Sequence, residues 1–391
     1  MTPGVVPVGV IGTGELGICL VDRFRSGGHE VWVFDTDGAA LARAAAAGAR
    51  PATGPAEVAE RCPVVLTCVT GPDDVRACAL GPGGLSSVSG PEHLVIDTTT
   101  SLPATTRMVA DGLGERGTVV VDAPVSRGVP AARRGELSVM VGGALRDVDR
   151  ARSFLALLGT DIVHVGPVGA GHAVKLVNMA LMGVHLVALA EAIGSGARFG
   201  LDPTDVVQQL AGAPSASYMT EVHLPRYVLG GTYDSGFRMQ LMAKDLRLAG
   251  RMAEDLGVEQ PLLRAVNDVY DRACGALPAM ADNMLVVPFV SGLAAGMDED
   301  DAATAARDGQ LPTPEGAGPA DRTGTMGQLV SQVTATNRAA ADQVTDVLTL
   351  AGVERQAAFS VIDVSSGSSY WTGRLAGSAR GQDHLLHPNR S

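Results

Sequence analysis

The chain has 391 residues, 46% of them hydrophobic and 18% charged, which is enough to bury more than one core, so two or three globular domains are expected. A formal net charge of −12 with no stripe of Lys and Arg argues against a nucleic-acid partner. Five cysteines with no C-x-x-C pair argue against a disulfide framework or a zinc site and fit a reducing cytoplasm. No basic segment precedes the first apolar run, and the most apolar helical stretch, 176–193, carries His185 and Glu191. Neither secretion nor membrane spanning is expected.

From the N-terminus, short β-branched runs alternate with Ala-rich or amphipathic stretches. The runs are VPVGVIG (6–12), EVWVFD (30–35), PVVLTCV (63–69), HLVIDTT (93–99), TVVVDAPV (118–125), LSVMVGG (137–143) and DIVHVG (161–166). Solidly apolar short strands separated by helices predict an α/β domain over 1–167, an open doubly wound parallel sheet of the Rossmann type. After Gly166 the spacing becomes helical and strands disappear. Residues 168–296 therefore read as an all-helical substrate and dimerisation domain, with Asp202-Pro203 opening one helix and Gly257 closing another. Residues 297–322 are acidic and rich in Pro, Gly and Ala, as in a linker. A further helical pair is expected over 323–375, followed by a disordered tail, 376–391. The tail holds His384 and His387, whose H-x-x-H spacing is better explained by solvated side chains than by a metal, and no metal site is expected.

The segment VGVIGTGELG sets Gly12, Gly14 and Gly17 in a G-x-G-x-x-G at a strand-to-helix junction. Gly12 permits the tight turn, Gly14 admits a pyrophosphate to the backbone and Gly17 lets the helix pack closely, so Ile11, Gly12, Gly14, Glu15, Leu16 and Gly17 form a candidate dinucleotide cradle. The second strand ends in Asp35, near the offset at which a carboxylate accepts from the adenosine ribose. Its charge disfavours a 2′-phosphate and no Arg follows, so NAD is expected over NADP.

Four later segments add a pattern: IDTTTSLP (96–103), DAPVSRG (122–128), GAGHAVKLVN (169–178) and LMAKDLRLA (241–249). In this order the sequence over about 5–272 resembles the β-hydroxyacid dehydrogenases, the group of 3-hydroxyisobutyrate dehydrogenase, tartronate semialdehyde reductase and, more distantly, 6-phosphogluconate dehydrogenase. The resemblance implies hydride transfer between nicotinamide and a small anionic hydroxy acid or its semialdehyde. It makes Lys175 the general acid/base with Asn178 beside it, has Ser126 and Gly128 hold the substrate carboxylate, and brings Thr100 and Lys244 to the nicotinamide end. Val69 and Thr70 would touch the cofactor mainly through backbone, and Asp245 would fix Lys244. Arg127 stands where the family commonly has glycine; it either binds a second anionic group of the substrate or points outward at the surface. A homodimer is implied as well.

The chemistry is consistent with this assignment. Oxidation at a C–OH centre needs the hydroxyl proton removed, which a positioned amine can do, and burial and a neighbouring like charge are the means of making an amine basic at the right pH. Asn178, three residues on, shares a helix face with Lys175. His172 shares it too, but reads as a polar residue at a helix start. Two alternatives stay open: an imine reductase, which Lys175 argues against, and a non-catalytic NAD-binding regulator. Finally, RTGTMGQLVSQVTATNRAAADQVTDVLTLAGV and SSGSSYWT echo the lysine-box helix and APSASYMT, with Gly324 on Gly171, Ser369-Tyr370 on Ser217-Tyr218 and one residue of shift between. A duplicated helical unit would then carry Gln328 for Lys175 and Ser331 for Asn178. Two unrelated apolar helices would share periodicity equally well.

Overall fold

The structure is a computed structural model and describes residues 5–314 and 322–377. Nine strands form one sheet: β1 Val8–Ile11, β2 Val31–Phe34, β3 Arg50–Pro51, β4 Val64–Thr67, β5 Leu94–Asp97, β6 Val119–Asp122, β7 Val125–Ser126, β8 Leu137–Gly142 and β9 Gly159–Gly166. Their order is β3-β2-β1-β4-β5-β6-β8-β7, with β9 paired to β8. All seven expected strands are present. β1, β4 and β5 are buried on both faces, which is why they lack alternation. The sheet is parallel from β3 through β6, as expected of a doubly wound fold, while β8 runs antiparallel to β6 and β7 and parallel to β9. The direction of the strand order changes between β1 and β4, and the glycine loop lies at the carboxyl end of β1, where open α/β sheets bind ligands.

Seven helices belong to this half: α1 Glu15–Ser26, α2 Gly38–Ala46, α3 Pro55–Arg61, α4 Pro72–Leu80, α5 Pro103–Gly114, α6 Gly128–Arg134 and α7 Leu145–Leu155. The rest is helical: α8 Ala170–Arg198, α9 Pro203–Ala211, a wide π-type segment Met219–Val228, α10 Met239–Asp255, α11 Pro261–Ala276, α12 Val286–Ala294, α13 Glu299–Arg307, α14 Arg322–Leu350, α15 Arg355–Asp363 and α16 Tyr370–Ala376. By length and composition α8 could cross a membrane, yet 94% of its most apolar stretch is buried inside this fold. An apolar helix without a polar face behaves this way in a protein core.

The described residues divide into two compact units, one running up to Lys175 and taking in Leu348–Val361, the other running from Leu176 to Val347 and resuming at Ile362. The boundary expected at 167 therefore moves into α8, and a late segment returns to the first unit, where the Glu354 N–H donates to the Val165 carbonyl at 3.0 Å. The linker reading also needs correction. Residues 299–307 form α13, capped by Asp298, which accepts from the Asp301 N–H at 2.9 Å, and bury Ala302, Ala303 and Ala306. Acidic residues in the first helical turn suit the positive dipole end, and three small apolar residues suffice to dock so short a helix. Of the tail expected over 376–391, Ala376 ends α16 and Gly377 caps it, while 378 onward, with His384 and His387, lies outside the described residues. Three C-terminal helices, rather than two, precede it.

The two helical stretches correspond in element lengths and spacing. α8 and α14 are both 29 residues long and α9 and α15 both 9, each pair displaced by 152. Gly200 and Gly352, with φ of 73° and 72°, follow the long helices at the same offset. Glycine is needed there because L side chains rarely adopt this left-handed conformation. Ser217 and Ser369 then pair with each other in an isolated antiparallel bridge, the Tyr218 N–H donating to Ser368 O and the Tyr370 N–H to Ala216 O, both at 3.0 Å. Equivalent residues exchanging equivalent bonds define a local two-fold. The offset stays at 152 throughout, so the one-residue shift is unnecessary. Gly327 stands opposite Lys175 and Val330 opposite Asn178, and the second copy lacks the amine.

His185, wholly buried in α8, has no hydrogen-bond partner for either ring nitrogen among the described residues, and burial pushes its pKa down to about 3. The unfolded imidazole titrates near about 6.5. Between these values the unfolded chain binds a proton that the folded chain refuses, so stability falls as pH drops through this window. His185→Asn, which introduces the residue found 152 positions on at Asn337, should remove up to about 2 kcal/mol of the difference in unfolding free energy between pH 7 and pH 5. Urea denaturation at the two pH values measures this; equal losses in both proteins would show that His185 does not carry the effect.

Candidate active site

The glycine loop has the geometry its three glycines imply. Gly12 has φ of 93°, and a Cβ there would strike the Cys68 carbonyl, while a Cβ on Gly17 would strike the carbonyl of Gly12. Around Gly14 no atom lies within 4 Å of where a Cβ would stand. Turn and helix packing thus account for two glycines, and the third leaves room for a ligand at the N-terminus of α1, where Gly14 provides no side-chain cap. These residues fit a dinucleotide pyrophosphate. Ile11 is buried in β1, while Glu15 is exposed and Leu16 half-buried in the first turn of α1. Asp35 is half-buried and braces the loop: one carboxylate oxygen accepts from the Thr13 N–H at 2.6 Å and its hydroxyl at 3.1 Å, and the other from the Asp37 N–H at 2.8 Å. A carboxylate has further lone pairs, so bracing leaves acceptor capacity for ribose hydroxyls.

A second network crosses the carboxyl ends of β4, β5 and β6. Thr67 donates to Asp97 at 2.7 Å, the Val69 N–H donates to the Thr99 hydroxyl at 3.1 Å, and Thr98 donates to Thr67 O at 2.7 Å. The backbone N–H of Val69 is thus used within the protein, while Thr70 is exposed and Thr100 half-buried beside Thr99. His172 joins this network to α8. Fully buried, it donates through Nε2 to Thr99 O at 2.7 Å, and its Nδ1 lies 2.6 Å from the Thr106 hydroxyl. Asp122 accepts from the N–H groups of Gly169 at 2.7 Å and His172 at 2.9 Å, satisfying donors at the start of α8 that no residue of the helix could. Burial raises the pKa of Asp122, against the opposing pull of His172 and the two N–H groups. Gly171 allows this approach, since a Cβ there would lie 2.8 Å from an Asp122 carboxylate oxygen and closer still to the Met140 carbonyl.

One turn beyond this anchor is Lys175, a residue only 8% exposed. Ser126 is buried in β7, in register with Ser138 of β8, and Gly128 opens α6 with φ of 70°. Arg127 between them has φ of 81°, in the region that favours the glycine usual at this position. Its guanidinium lies 2.6 Å from the Asp161 carboxylate and donates to Glu136 O at 3.1 Å. Of the two roles open to it, the geometry favours the outward surface ion pair over anion binding. In the second unit, Lys244 and Asp245 contact each other at 2.8 Å in α10, as the resemblance implied, and Asn178 is wholly buried. Among the described residues no cluster of three His, Cys, Asp or Glu is placed to hold a metal ion.

Asp122 and His172 were not singled out from the sequence as site residues. The available signal was the pair of glycines just before His172, at 169 and 171, which marks a helix start pressed against a strand end.

Residues 7–166 match the family model described as the NAD binding domain of 6-phosphogluconate dehydrogenase, and residues 169–290 match that described as NAD-binding of NADP-dependent 3-hydroxyisobutyrate dehydrogenase. The chain is 32% identical over 273 residues to the 2-(hydroxymethyl)glutarate dehydrogenase of Eubacterium barkeri, covering 69% of this chain and 90% of that one. It is 33% identical over 281 residues to the 3-hydroxyisobutyrate dehydrogenase of Pseudomonas aeruginosa, covering 70% and 93%. The solved structure of 3-hydroxyisobutyrate dehydrogenase from Mycobacterium tuberculosis with L-serine superposes with a TM-score of 0.68 at 28% identity, over 73% of this chain and 98% of that one. The chain therefore belongs to the β-hydroxyacid dehydrogenase family, NAD(P)-binding oxidoreductases that transfer hydride to and from small hydroxy acids.

The Arg127 geometry yields a direct check. Arg127→Gly relieves about 1 kcal/mol of left-handed strain and loses a partly exposed ion pair worth about 0–1 kcal/mol. The thermal midpoint should hold or rise slightly, and KM for the hydroxy acid should not change. A several-fold rise in KM would place the guanidinium on the substrate.

Proposed function

We propose that the protein is an NAD-preferring dehydrogenase of a small 3-hydroxy acid, with Lys175 as general acid/base. The observation that supports this best is the burial of Lys175, one helical turn from an N-terminus bound to both the Asp122 and the Thr99 strand ends. Ser126 and the backbone at Gly128 hold the substrate carboxylate. In oxidation the C–H hydride passes to the nicotinamide, the hydroxyl proton passes to the neutral Lys175 amine, and the carbon–oxygen bond becomes a carbonyl; reduction reverses each transfer. Thr100 faces the nicotinamide side, and Asn178 orients the reacting oxygen.

NAD is favoured because Asp35 ends β2 beside Thr36 and Asp37, where a 2′-phosphate would meet carboxylates and no guanidinium. Thiols pushed up by desolvation, buried Cys62 and half-buried Cys68 to about 12 and half-buried Cys78 to about 11, suit a reducing cytoplasm, because such thiols stay protonated and unreactive.

A panel of 3-hydroxyisobutyrate, L-threonate, 2-(hydroxymethyl)glutarate and L-serine, assayed with NAD and with NADP, tests the reading. At least one acid should be oxidised, with higher kcat/KM for NAD. Lys175→Ala should lower kcat on the order of 10²-fold or more while dinucleotide affinity holds, because an acid/base acts in the transition state. Turnover near wild type in that variant would assign proton transfer elsewhere. Equal kcat/KM with NADP would remove the cofactor preference.

A further inference from the structure

The second helical copy meets the first at Asn178. The Gly367 N–H donates to Asn178 Oδ1 at 2.9 Å, and Asn178 Nδ2 donates to the Ser366 hydroxyl at 3.1 Å. A peptide N–H can only donate, so this pair of contacts assigns the amide: its oxygen faces Gly367 and its nitrogen faces Ser366. The remaining Nδ2 contact is to the Met179 sulfur at 3.9 Å, weak enough to give way to a substrate oxygen. Gly367 has to be glycine for this fit, since a Cβ would stand 2.8 Å from both the carbonyl oxygen and Oδ1 of Asn178.

The turn is held firmly. Ser365, Ser368 and Ser369 are buried, the Ser217–Ser369 bridge fixes it to the first copy, and Ser369 with Thr372 forms a reciprocal cap on α16. On the opposite side of the local two-fold the equivalent turn is seated differently: Asn337 of α14 donates to Ser215 O at 3.0 Å, with no amine one turn away. That contact can only be structural. The Asn178 contact lies three residues from Lys175.

We propose that Ser366 and Gly367 are positioning residues for Asn178, so that the C-terminal copy, itself without the amine, sets the amide orientation used at the reacting oxygen. This rests on the assignment of Lys175 and Asn178 to the active site. Ser366 does not touch the reacting atoms in this scheme; it acts through Asn178.

The test is a double-mutant cycle on the full chain, with saturating NAD and the best acid of the panel above. Ser366→Ala should lower kcat about fivefold or more with the KM for NAD unchanged, and Ser366→Thr, which keeps the hydroxyl, should restore kcat to within about twofold. Ser366→Ala combined with Asn178→Ala should be no slower than Asn178→Ala alone, because residues acting through one another are not additive. Asn337→Ala supplies the structural comparison, lowering the thermal midpoint without changing kcat. If Asn178→Ala is slow but Ser366→Ala is not, or if the two losses multiply, the positioning role is wrong and the active-site assignment stands. If Asn178→Ala turns over normally, that assignment fails for Asn178, and the positioning role fails with it.

Discussion

The buried Asp122 carboxylate at the start of α8 is the contact on which the first unit's site geometry depends. A 29-residue apolar helix enters the end of the sheet with its first N–H groups out of reach of water. Buried donors without partners cost on the order of 1–3 kcal/mol each. Asp122 supplies acceptors for two of them, and His172 uses its ring to reach the Thr99 loop. The same arrangement carries three motifs: Asp122 begins the substrate box, Thr99 belongs to the loop after β5, and the helix continues to Lys175. Holding the helix end therefore fixes where the amine sits relative to two strand ends.

The extension after α13 follows from the nature of α8. A helix apolar on all faces needs cover on every side, and the second unit provides it partly from the repeat: the site of a Cβ on Gly196 lies 3.5 Å from Leu329 of α14. Within that unit Gln260 donates to Gln343 O at 2.9 Å, tying α14 further into the fold. The copy has kept helix lengths, the glycine after the long helix and the serine bridge, which are requirements of folding. It has lost the lysine, which packing does not require.

Most of the first unit was legible in the sequence because doubly buried strands and a Gly-rich strand-to-helix turn leave strong local marks. All seven strand runs were found, and the three glycines have the steric reasons inferred for them. Other features depend on tertiary geometry that local patterns do not encode. The antiparallel pairing of β8 with β6 and β7 is made across the sheet, the return of 348–361 to the first unit shows only in contacts such as the Glu354–Val165 bond, and α13 was hidden by acidic, Ala-rich composition that reads as a linker. His172 looked like an ordinary polar residue at a helix start because its partners at 99, 106 and 122 are distant in sequence. Arg127 left two roles open, and the partner that favours the surface role, Asp161, is more than thirty residues on. The repeat was visible, but its register was set one residue off along the helix, where few identities guide alignment and any apolar spacing fits.

If Asp122 is the anchor that places Lys175, the most direct measurement is kcat for Asp122→Asn alongside the dissociation constant for NADH, read from nicotinamide fluorescence. The side-chain amide would leave one helix N–H facing another donor, so the helix start should shift. The account expects kcat to fall about tenfold or more, with NADH affinity within about twofold of wild type because the glycine loop and Asp35 are untouched. Wild-type kcat in a folded Asp122→Asn protein would contradict it.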